Sequence, residues 1–376
     1  MNTPKDISLL RNALPFWITL LTLVLLGVSA YLGGWWLLLV YLNTWILIGA
    51  LDTFEGLYTA NADPQTDDAS LFWFRLITII WFPLEFIAVF ACIAAVTFGD
   101  YTIWEKFALM GSMGIITGSV GIVYAHELMH QKSKLERHMG DGLMALALYG
   151  HFRSEHLLVH HRYVGTPKDP VTARYNEGFH RFFPRVLIGC LKSSWAAEKS
   201  MLARKKLLWW HKSNPFWKYA TLQGAFLLIA FAIGGLAGVG FFIFQAAIAV
   251  WQLELVNYVE HYGLTRKHLG DGKYEHTKPQ HSWNAAHKVS NYFLLNLQRH
   301  SDHHYKPDRR YPLLQNYEDD AAPQLPRSYP IMTFLAMIPP VWKRVMNPRV
   351  RAWRAQFYPE ITDWHAYNKA ENPMPR

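Results

Sequence analysis

Long apolar runs alternate along this chain with segments that are crowded with Lys, Arg and His. Six of the runs approach the roughly 20 residues that a helix needs to cross the apolar core of a bilayer. Because unpaired backbone amides are not tolerated there, such runs predict transmembrane helices. For the first two runs, a re-entrant hairpin is an alternative. The predicted spans are Leu14–Gly33, Gly34–Leu51, Leu76–Phe98, Ile103–Ala125, Trp217–Ile233 and Leu236–Val256.

The connections between these runs are of two kinds. Three are very short and almost free of basic residues, at Gly33 and Gly34, at 99–102, and at Gly234 and Gly235. By contrast, the connection 131–216 contains fifteen Lys and Arg residues. Since basic residues are retained on the cytoplasmic side, we expect an inner (plasma) membrane protein with both termini and all long loops in the cytoplasm.

The expected fold class is therefore all-α, a six-transmembrane-helix bundle with a cytoplasmic, histidine-rich cap that binds metal. Residues 1–376 form one integral-membrane domain, because no internal repeat and no linker divides the chain. The cytoplasmic segments of this prediction are 126–216 and 257–376.

Composition narrows the function classes. With 376 residues, 51% of them hydrophobic, and two cysteines, the chain is neither a disulfide scaffold nor a disordered protein. The net charge is +9, and the basic residues flank the apolar runs. This position favours contacts with lipid headgroups or with an acidic soluble partner over binding of nucleic acid. Cys92 and Cys190 are too few to hold an iron–sulfur centre, and no Gly-rich dinucleotide fingerprint is present. Any electron donor must then be another protein.

Histidine carries the chemical signal, since 17 of the 18 histidines lie between His126 and His304. His126 and His130 are spaced i, i+4, which puts two imidazoles on one face of a helix. The same spacing recurs twice, and one further histidine ends the last span. Nine imidazoles are enough for two metal ions, although imidazole suits iron, copper and zinc alike. The candidate ligands are His126, His130, His156, His160, His161, His261, His300, His303 and His304.

Two other interpretations of these residues stay open at this point. The string from His126 to His130 contains Glu127, which is the pattern of a zinc metalloprotease with Glu as general base. A metal or haem carrier without catalytic activity is the second possibility. Glu127 to His130 and Glu177 to His180 also fit the Glu-x-x-His element of soluble di-iron bundles. That interpretation is disfavoured, because Glu177 lies in a basic loop and the two His-His pairs stay unexplained.

Five strings together resemble one known family. In chain order they are HELMH at 126–130, EHLLVHH at 155–161, VGTPKDP at 164–170, NYVEHYGL at 257–264 and LQRHSDHH at 297–304. On a frame of six spans these strings are similar to the integral-membrane di-iron alkane 1-monooxygenases, or alkane ω-hydroxylases. Membrane fatty-acid desaturases are related and share three histidine boxes, but the box around His261 is typical of the hydroxylases. The alternatives within this resemblance are a membrane di-iron desaturase and a hydroxylase of another apolar substrate, such as a xylene side chain or an acyl chain.

This resemblance implies a reaction, cofactors and partners. The nine boxed histidines would hold two iron ions, and O2 would be the co-substrate that converts an alkane from the bilayer to a primary alcohol. The electrons would come from rubredoxin and its reductase. A carrier of acidic charge would dock on Arg and Lys residues of the region 160–212. Carboxylates that would orient the ligand rings through the second ring nitrogen are Glu127, Glu155, Asp169, Glu260 and Asp302.

An apolar substrate needs an apolar channel to the metals. A stripe of glycines in the fourth span, at i, i+3, i+7 and i+10, lies just before His126 and is one candidate for its wall. Close packing of helices is the alternative explanation of such a stripe. The predicted channel residues are Trp45, Gly111, Gly114, Gly118 and Gly121.

Overall fold

The computed structural model describes residues 9–369 of the chain. Most of these residues are helical, and the only sheet among them is a hairpin of two very short strands. Five helices are long and apolar enough to cross a membrane. They are α1 (Leu10–Leu32), α2 (Gly34–Glu55), α3 (Asp68–Phe98), α4 (Ile103–Met129) and, after three helices that are described below, α8 (Pro215–His261).

Helix α8 is two helices joined at Gly235. This residue has φ 59° and ψ −148°, which is not helical and which suits glycine because it lacks a Cβ. Ala230 and Gly238 would be about 12 Å apart along a straight helix, yet the Cα face of Gly238 lies against the backbone of Ala230. The chain therefore reverses at Gly235, and α8 supplies two apolar arms, the first at 215–234 and the second at 236–261. Six apolar arms result, and the crossing of a bilayer by each of them stays a prediction.

The three short turns lie at the same end of the bundle. Gly33 and Gly34 both have positive φ, and the N–H of Gly34 donates to Oε1 of Glu105, in the first turn of α4, at 2.7 Å. Glu105 also accepts from the N–H of Thr102 at 2.8 Å, which caps α4. A Cβ on Gly234 would lie 2.6 Å from Oγ1 of Thr97 at the end of α3. The histidine boxes lie at the opposite helix ends.

Helix α4 is the centre of the bundle. Of its most apolar stretch 83% is buried, against 22% to 39% for the other four long helices. It packs on α3 and on the second arm of α8, and its last turn carries the first histidine box.

The remaining elements form the end of the molecule that surrounds the histidines. Between α4 and α8 these are α5 (Lys134–Leu146), α6 (residues 152–163) and α7 (Phe179–Arg204). Beyond α8 the chain forms β1 (His268–Gly270), β2 (Lys273–Tyr274), α9 (Lys288–Phe293), α10 (His300–Tyr305), α11 (Tyr329–Ala336), α12 (Pro339–Phe357) and α13 (His365–Lys369). Strands β1 and β2 pair antiparallel. Short 3-10 turns occur at Pro279–His281 and Tyr311–Leu313.

Candidate metal centre

Four elements bring the nine boxed histidines together at one end of the bundle. The end of α4 supplies two rings, α6 supplies three, the end of α8 supplies one and α10 supplies three. The rings divide into two groups, and within each group one possible ligand atom from every ring lies within 4.8 Å of the others. We call them the five-histidine group (His126, His130, His156, His161 and His303) and the four-histidine group (His160, His261, His300 and His304).

The division does not follow the i, i+4 rule in α6. Residues His156–His160 form a π turn, in which backbone hydrogen bonds join residues i and i+5 instead of i and i+4. The N–H of His161 accordingly bonds to the carbonyl of His156. His156 and His161 therefore point into the same group, whereas His160 belongs to the other. The shared-face prediction from the spacing of His156 and His160 is wrong for this reason.

The ring nitrogens are spaced like ligands of one ion. In the five-histidine group, Nε2 of His161 lies 2.9 Å from Nε2 of His156 and 3.2 Å from that of His130. In the four-histidine group, Nε2 of His300 lies 3.1 Å from that of His261 and 3.0 Å from that of His304. Two imidazoles bound at right angles with bonds near 2.1 Å would have their nitrogens about 3.0 Å apart. The residues present therefore fit two metal ions.

The rings are buried in a form that can bind metal. Burial lowers the pKa of His130 to about 3 and lowers the pKa values of His156, His300 and His304 well below the usual range. These imidazoles are neutral at pH 7, as metal ligation requires. No carboxylate belongs to either group within residues 9–369.

One of the five carboxylates predicted to orient a ligand makes that contact. Oδ2 of Asp169 lies 3.0 Å from Nδ1 of His160, and both side chains are almost fully buried. The same carboxylate accepts from the hydroxyl of Thr172 at 2.7 Å and from the N–H of Val171 at 3.0 Å. Asp169 thereby fixes the proton of His160 on Nδ1. Nε2 has no partner among residues 9–369 and faces the other rings of its group, where it could bind a metal.

Glu260 approaches a ligand from the other side. Its Oε2 lies 3.3 Å from Nε2 of His300, the ring nitrogen that faces the four-histidine group. Its Oε1 accepts from the hydroxyl of Tyr329 at 3.0 Å. Glu260 thus lies beside the ring nitrogens that face the metal. The sequence predicts instead that it bonds to the second ring nitrogen, which faces away from the metal.

Glu127 and Asp302 contact other groups. Glu127 accepts from Nε2 of Gln131 at 2.8 Å and from the N–H of Tyr311 at 3.2 Å. Asp302 accepts from Arg309 at 2.5 Å and from the hydroxyl of Tyr317 at 2.8 Å. Neither carboxylate has a hydrogen bond to a histidine ring in the described part of the chain. Both hold the segment after α10 against the bundle.

Glu155 is fully buried, and neither of its oxygens has a hydrogen-bond partner among residues 9–369. Burial, reinforced by the nearby carboxylates of Asp169 and Glu254, raises the pKa of Glu155 well above its usual range. Among the described residues, neither oxygen makes the predicted contact with a ligand ring.

An apolar cavity ends at both histidine groups. His126 and His156 of the five-histidine group line it, as does His300 of the four-histidine group. Its volume is about 90 Å³. Because one water molecule occupies roughly 10 to 15 Å³ of such a volume, several methylene groups fit. Side chains from α2, α4, the second arm of α8, α9 and α11 form the wall, among them Ile48, Val123, Leu255, Phe293 and Thr333.

Every π turn in the described part of the chain borders this cavity. The three turns are Asn43–Leu47 in α2, Thr117–Gly121 in α4 and His156–His160 in α6. They contribute Thr44 and Trp45, Gly118 and Ser119, and His156 to the wall. Such turns are rare and occur mostly at functional sites.

The predicted channel residues separate into two kinds. Trp45 and Gly118 line the cavity. Gly111 packs against the hydroxyl of Tyr41, a Cβ on Gly114 would lie 2.6 Å from the carbonyl oxygen of Gln245, and Gly121 packs against the carboxylate of Glu85. Gly111, Gly114 and Gly121 therefore serve helix packing, and the structure limits the channel prediction to Trp45 and Gly118.

The isolated motifs of the alternative interpretations do not form sites. Glu127 faces Gln131 and Tyr311 instead of the metal-facing nitrogens, so it lacks the position of a protease general base. Glu177 pairs with Arg185, and His180 bonds to the carbonyl of Met337. The carboxylates of both Glu-x-x-His elements, Glu127 and Glu177, are thus outside the two histidine groups.

Two residues of the site, Arg299 and Gln252, were not singled out from the sequence. The guanidinium of Arg299, just before His300, is buried and donates to the carbonyls of Tyr58 at 3.1 Å, Ala60 at 3.0 Å and Leu314 at 2.6 Å. It ties α10 to the loop between α2 and α3. Gln252 is an amide inside an apolar run that lines the cavity, and a polar residue at membrane depth is itself a signal of function.

Comparison with known proteins agrees with this geometry. The Fatty acid desaturase family matches residues 102–336. Alkane 1-monooxygenase 2 of Pseudomonas aeruginosa is 36% identical over 366 residues, 93% of this chain and 94% of the relative. Alkane 1-monooxygenase 2 of Alcanivorax borkumensis is 34% identical over 371 residues, 94% of each. The xylene/toluene monooxygenase hydroxylase component XylM of Pseudomonas putida is 27% identical over 88% of this chain and 87% of its own length. This chain therefore belongs to the fatty acid desaturase family and, within it, to the alkane 1-monooxygenases.

Proposed function

We propose that this protein hydroxylates the terminal carbon of alkanes, with two iron ions bound by the five-histidine and four-histidine groups. The observation that carries the proposal is the apolar cavity between the long helices, which ends at His126, His156 and His300. A chain without polar groups is recognised by shape alone. A cavity that meets both groups at one end would present the end of such a chain to both ions.

The proposed reaction consumes one alkane, one O2, two electrons and two protons, and it yields one primary alcohol and one water. Bound iron supplies the activation of O2 and the transfer of one oxygen atom to carbon. The protein holds the terminal carbon near the metals and keeps water from the cavity wall. Tyr329 fixes the carboxylate of Glu260 where cavity and ligand nitrogens meet.

The test uses purified protein in detergent or nanodiscs, supplied with octane, dodecane and hexadecane, O2, rubredoxin and its reductase. We expect two irons per chain and 1-alkanols as the products. The variant His304→Ala removes one ligand of the four-histidine group and should abolish turnover. The matched control is His138→Ala, which replaces an exposed histidine outside both groups and should retain full activity.

Other outcomes of this experiment would contradict the proposal. Oxidation of xylene methyl groups without oxidation of alkanes would favour the activity that the name of XylM describes, and unsaturated products would favour a desaturase. One zinc per chain with peptide cleavage would favour a protease. Iron binding without substrate-dependent O2 consumption would favour a metal carrier.

We also propose that electrons reach the centre through a depression beside the four-histidine group. Lys168, Arg174 and Lys192 line this depression together with Asp169, and all three cations are exposed. Asp169 bonds directly to His160. An acidic carrier such as rubredoxin, attracted by these cations, would dock within one hydrogen bond of a proposed iron ligand.

This docking proposal has its own measurement. The double variant Arg174→Glu and Lys192→Glu should lower the rate of electron delivery at low salt by about tenfold or more, since opposite charge steers association. The difference from wild type should shrink as salt rises. Lys106→Glu, which changes the charge of a residue near the N-terminus of α4 at the other end of the bundle, is the control. Equal rates in the double variant and the control would refute the docking surface.

The orientation in the membrane is a further part of the proposal. The histidine end carries the long basic loops, and by the positive-inside rule this supports the proposal that both termini and the metal centre lie in the cytoplasm. Single cysteines introduced at Asp67 and at Asp100, in a variant without Cys92 and Cys190, would test this in intact cells. We expect an impermeant thiol reagent to label only position 100 from the outside. Labelling of position 67 alone would reverse the orientation.

A further inference from the structure

The π turn in α4 has a cost in a membrane helix. Residues Thr117–Gly121 bond with i, i+5 spacing, which departs from the regular i, i+4 ladder of α4. Inside a bilayer, water is not present to bond to backbone groups beside such a departure. Hydrogen-bond donors from another part of the protein therefore stabilise such a turn.

Gln252, in the second arm of α8, supplies them. Its Nε2 donates to the carbonyl of Gly114 at 3.2 Å and contacts the carbonyl of Ile115 at 3.4 Å. The hydroxyl of Ser119 adds a bond to the carbonyl of Ile115 at 2.7 Å. The amide is buried, with 6% of the residue exposed, so its polar atoms need these partners as much as the carbonyls need the amide.

Gly118 provides the space for this contact. A Cβ at position 118 would lie 2.5 Å from Nε2 of Gln252 and 3.0 Å from Cα of Ala249. Any larger residue would thus displace the amide from the carbonyls. Gly118 and Gln252 therefore act together across the interface between α4 and α8, and we call this contact the clamp.

The π turn determines where the following histidines point. An α-helix turns about 100° per residue, so one extra residue in a turn rotates everything beyond it by about that angle. His126 lies five residues after the π turn, and His130 lies four residues further on. If α4 relaxed to a regular helix, both rings would rotate away from His156, His161 and His303.

We propose that Gln252 is a positioning residue, which holds the π turn of α4 and thereby aims His126 and His130 into the five-histidine group. The inference rests on the proposed two-metal centre. It accounts for an amide in the wall of a cavity that is otherwise suited to hydrocarbon.

The test measures metal binding instead of turnover. Metal-free protein carrying His300→Ala and His304→Ala, which leaves only two rings in the four-histidine group, is titrated with Co²⁺ against a competing chelator, so that the remaining affinity reports the five-histidine group. Adding Gln252→Met removes the donor at similar volume and should weaken this affinity about tenfold or more. The matched control is Gln245→Met, which removes the bond from the same residue type in the same helix to the carbonyl of Leu146 at 2.8 Å.

The outcomes separate the clamp from the metal centre. Equal Co²⁺ affinity in the Gln252→Met and Gln245→Met proteins would overturn the clamp. Wild-type protein that binds no Co²⁺ would overturn the proposed centre itself. If Gln252→Met fails to fold, Gly118→Ala with Gln252 intact takes its place, because it blocks the reach of the amide, and unchanged affinity in that variant would equally overturn the clamp. In folded proteins, the effects of Gly118→Ala and Gln252→Met should not add, since both break one contact.

Discussion

The bond between Asp169 and His160 allows a sharp test of how the two groups are organised. Asp169→Asn keeps the size of the side chain but removes the charge that accepts the Nδ1 proton of His160 at 3.0 Å. Both side chains are about 1% exposed or less, so water does not replace the lost acceptor. Loss of such a partner behind a metal ligand lowers metal affinity by about 10- to 100-fold, or about 1.4 to 2.7 kcal/mol.

The effect should be confined to the four-histidine group. Two background variants isolate the groups, since each leaves only two rings in the other group. The first carries His130→Ala, His161→Ala and His303→Ala and keeps the four-histidine group, and the second carries His300→Ala and His304→Ala and keeps the five-histidine group. Titration of each metal-free protein with Co²⁺ against a chelator then gives the affinity of the intact group. Asp169→Asn should weaken binding in the first background and leave it within about twofold in the second.

Thr172→Val is the matched control for this experiment. It removes one hydrogen bond to the same carboxylate, at 2.7 Å, but keeps the charge that faces His160. We expect a smaller loss of affinity, about threefold or less, because a neutral hydrogen bond contributes roughly half as much as a charged one. Equal losses from Asp169→Asn in the two backgrounds would refute the assignment of His160 to the four-histidine group.

Three further predictions concern stability and the cavity. Arg299→Met leaves the carbonyls of the loop between α2 and α3 without their donor and should destabilise the protein by about 3 kcal/mol or more, measured as loss of folded protein on heating; an unchanged melting temperature would contradict this. Burial lowers the pKa of His151 to about 4, below about 6.5 in the unfolded chain. Acidification from pH 6.5 towards 4 should therefore lower the free energy of unfolding of the wild type by up to about 1.4 kcal/mol per pH unit more than that of His151→Gln. The same pH dependence of this free energy in both proteins would contradict the prediction. Thr44 lines the cavity with a hydroxyl that has no partner among the described residues, so Thr44→Leu should shorten the longest alkane that is hydroxylated, and an unchanged product range by gas chromatography would show that Thr44 does not limit the cavity.

The membrane helices and the ligand set follow from local sequence patterns. A run of apolar residues or an i, i+4 pair of histidines is a local property, and α4 illustrates both, because it spans Ile103–Met129 against the predicted Ile103–Ala125 and carries His126 at its end. The turn at Gly235 was also visible as two adjacent glycines between apolar runs.

The sharing of ligands between the two groups depends on non-local contacts. The π turn at His156–His160 moves His160 away from His156, and a regular helical spacing gives no sign of it. The role of a carboxylate is decided by its neighbours in space. Asp169 meets His160, while Asp302 meets Arg309, although each lies close in sequence to a ligand.

The glycine stripe shows the same limit. The four positions are equivalent in the sequence pattern, but Gly118 alone among them borders the cavity, and the others face Tyr41, Gln245 or Glu85. Which face of a helix meets a cavity is determined by its partners, and those come from distant parts of the chain.

Iron X-ray absorption spectroscopy together with metal analysis on the purified protein counts the bound metal ions and identifies the atoms around them. We predict two irons per chain and a first coordination shell of nitrogen and oxygen atoms, with imidazole scattering equivalent to between four and five histidines per iron. The result that would contradict it is a single metal ion per chain bound by about three imidazoles, because one ion of that kind leaves most of the nine converging rings without a function.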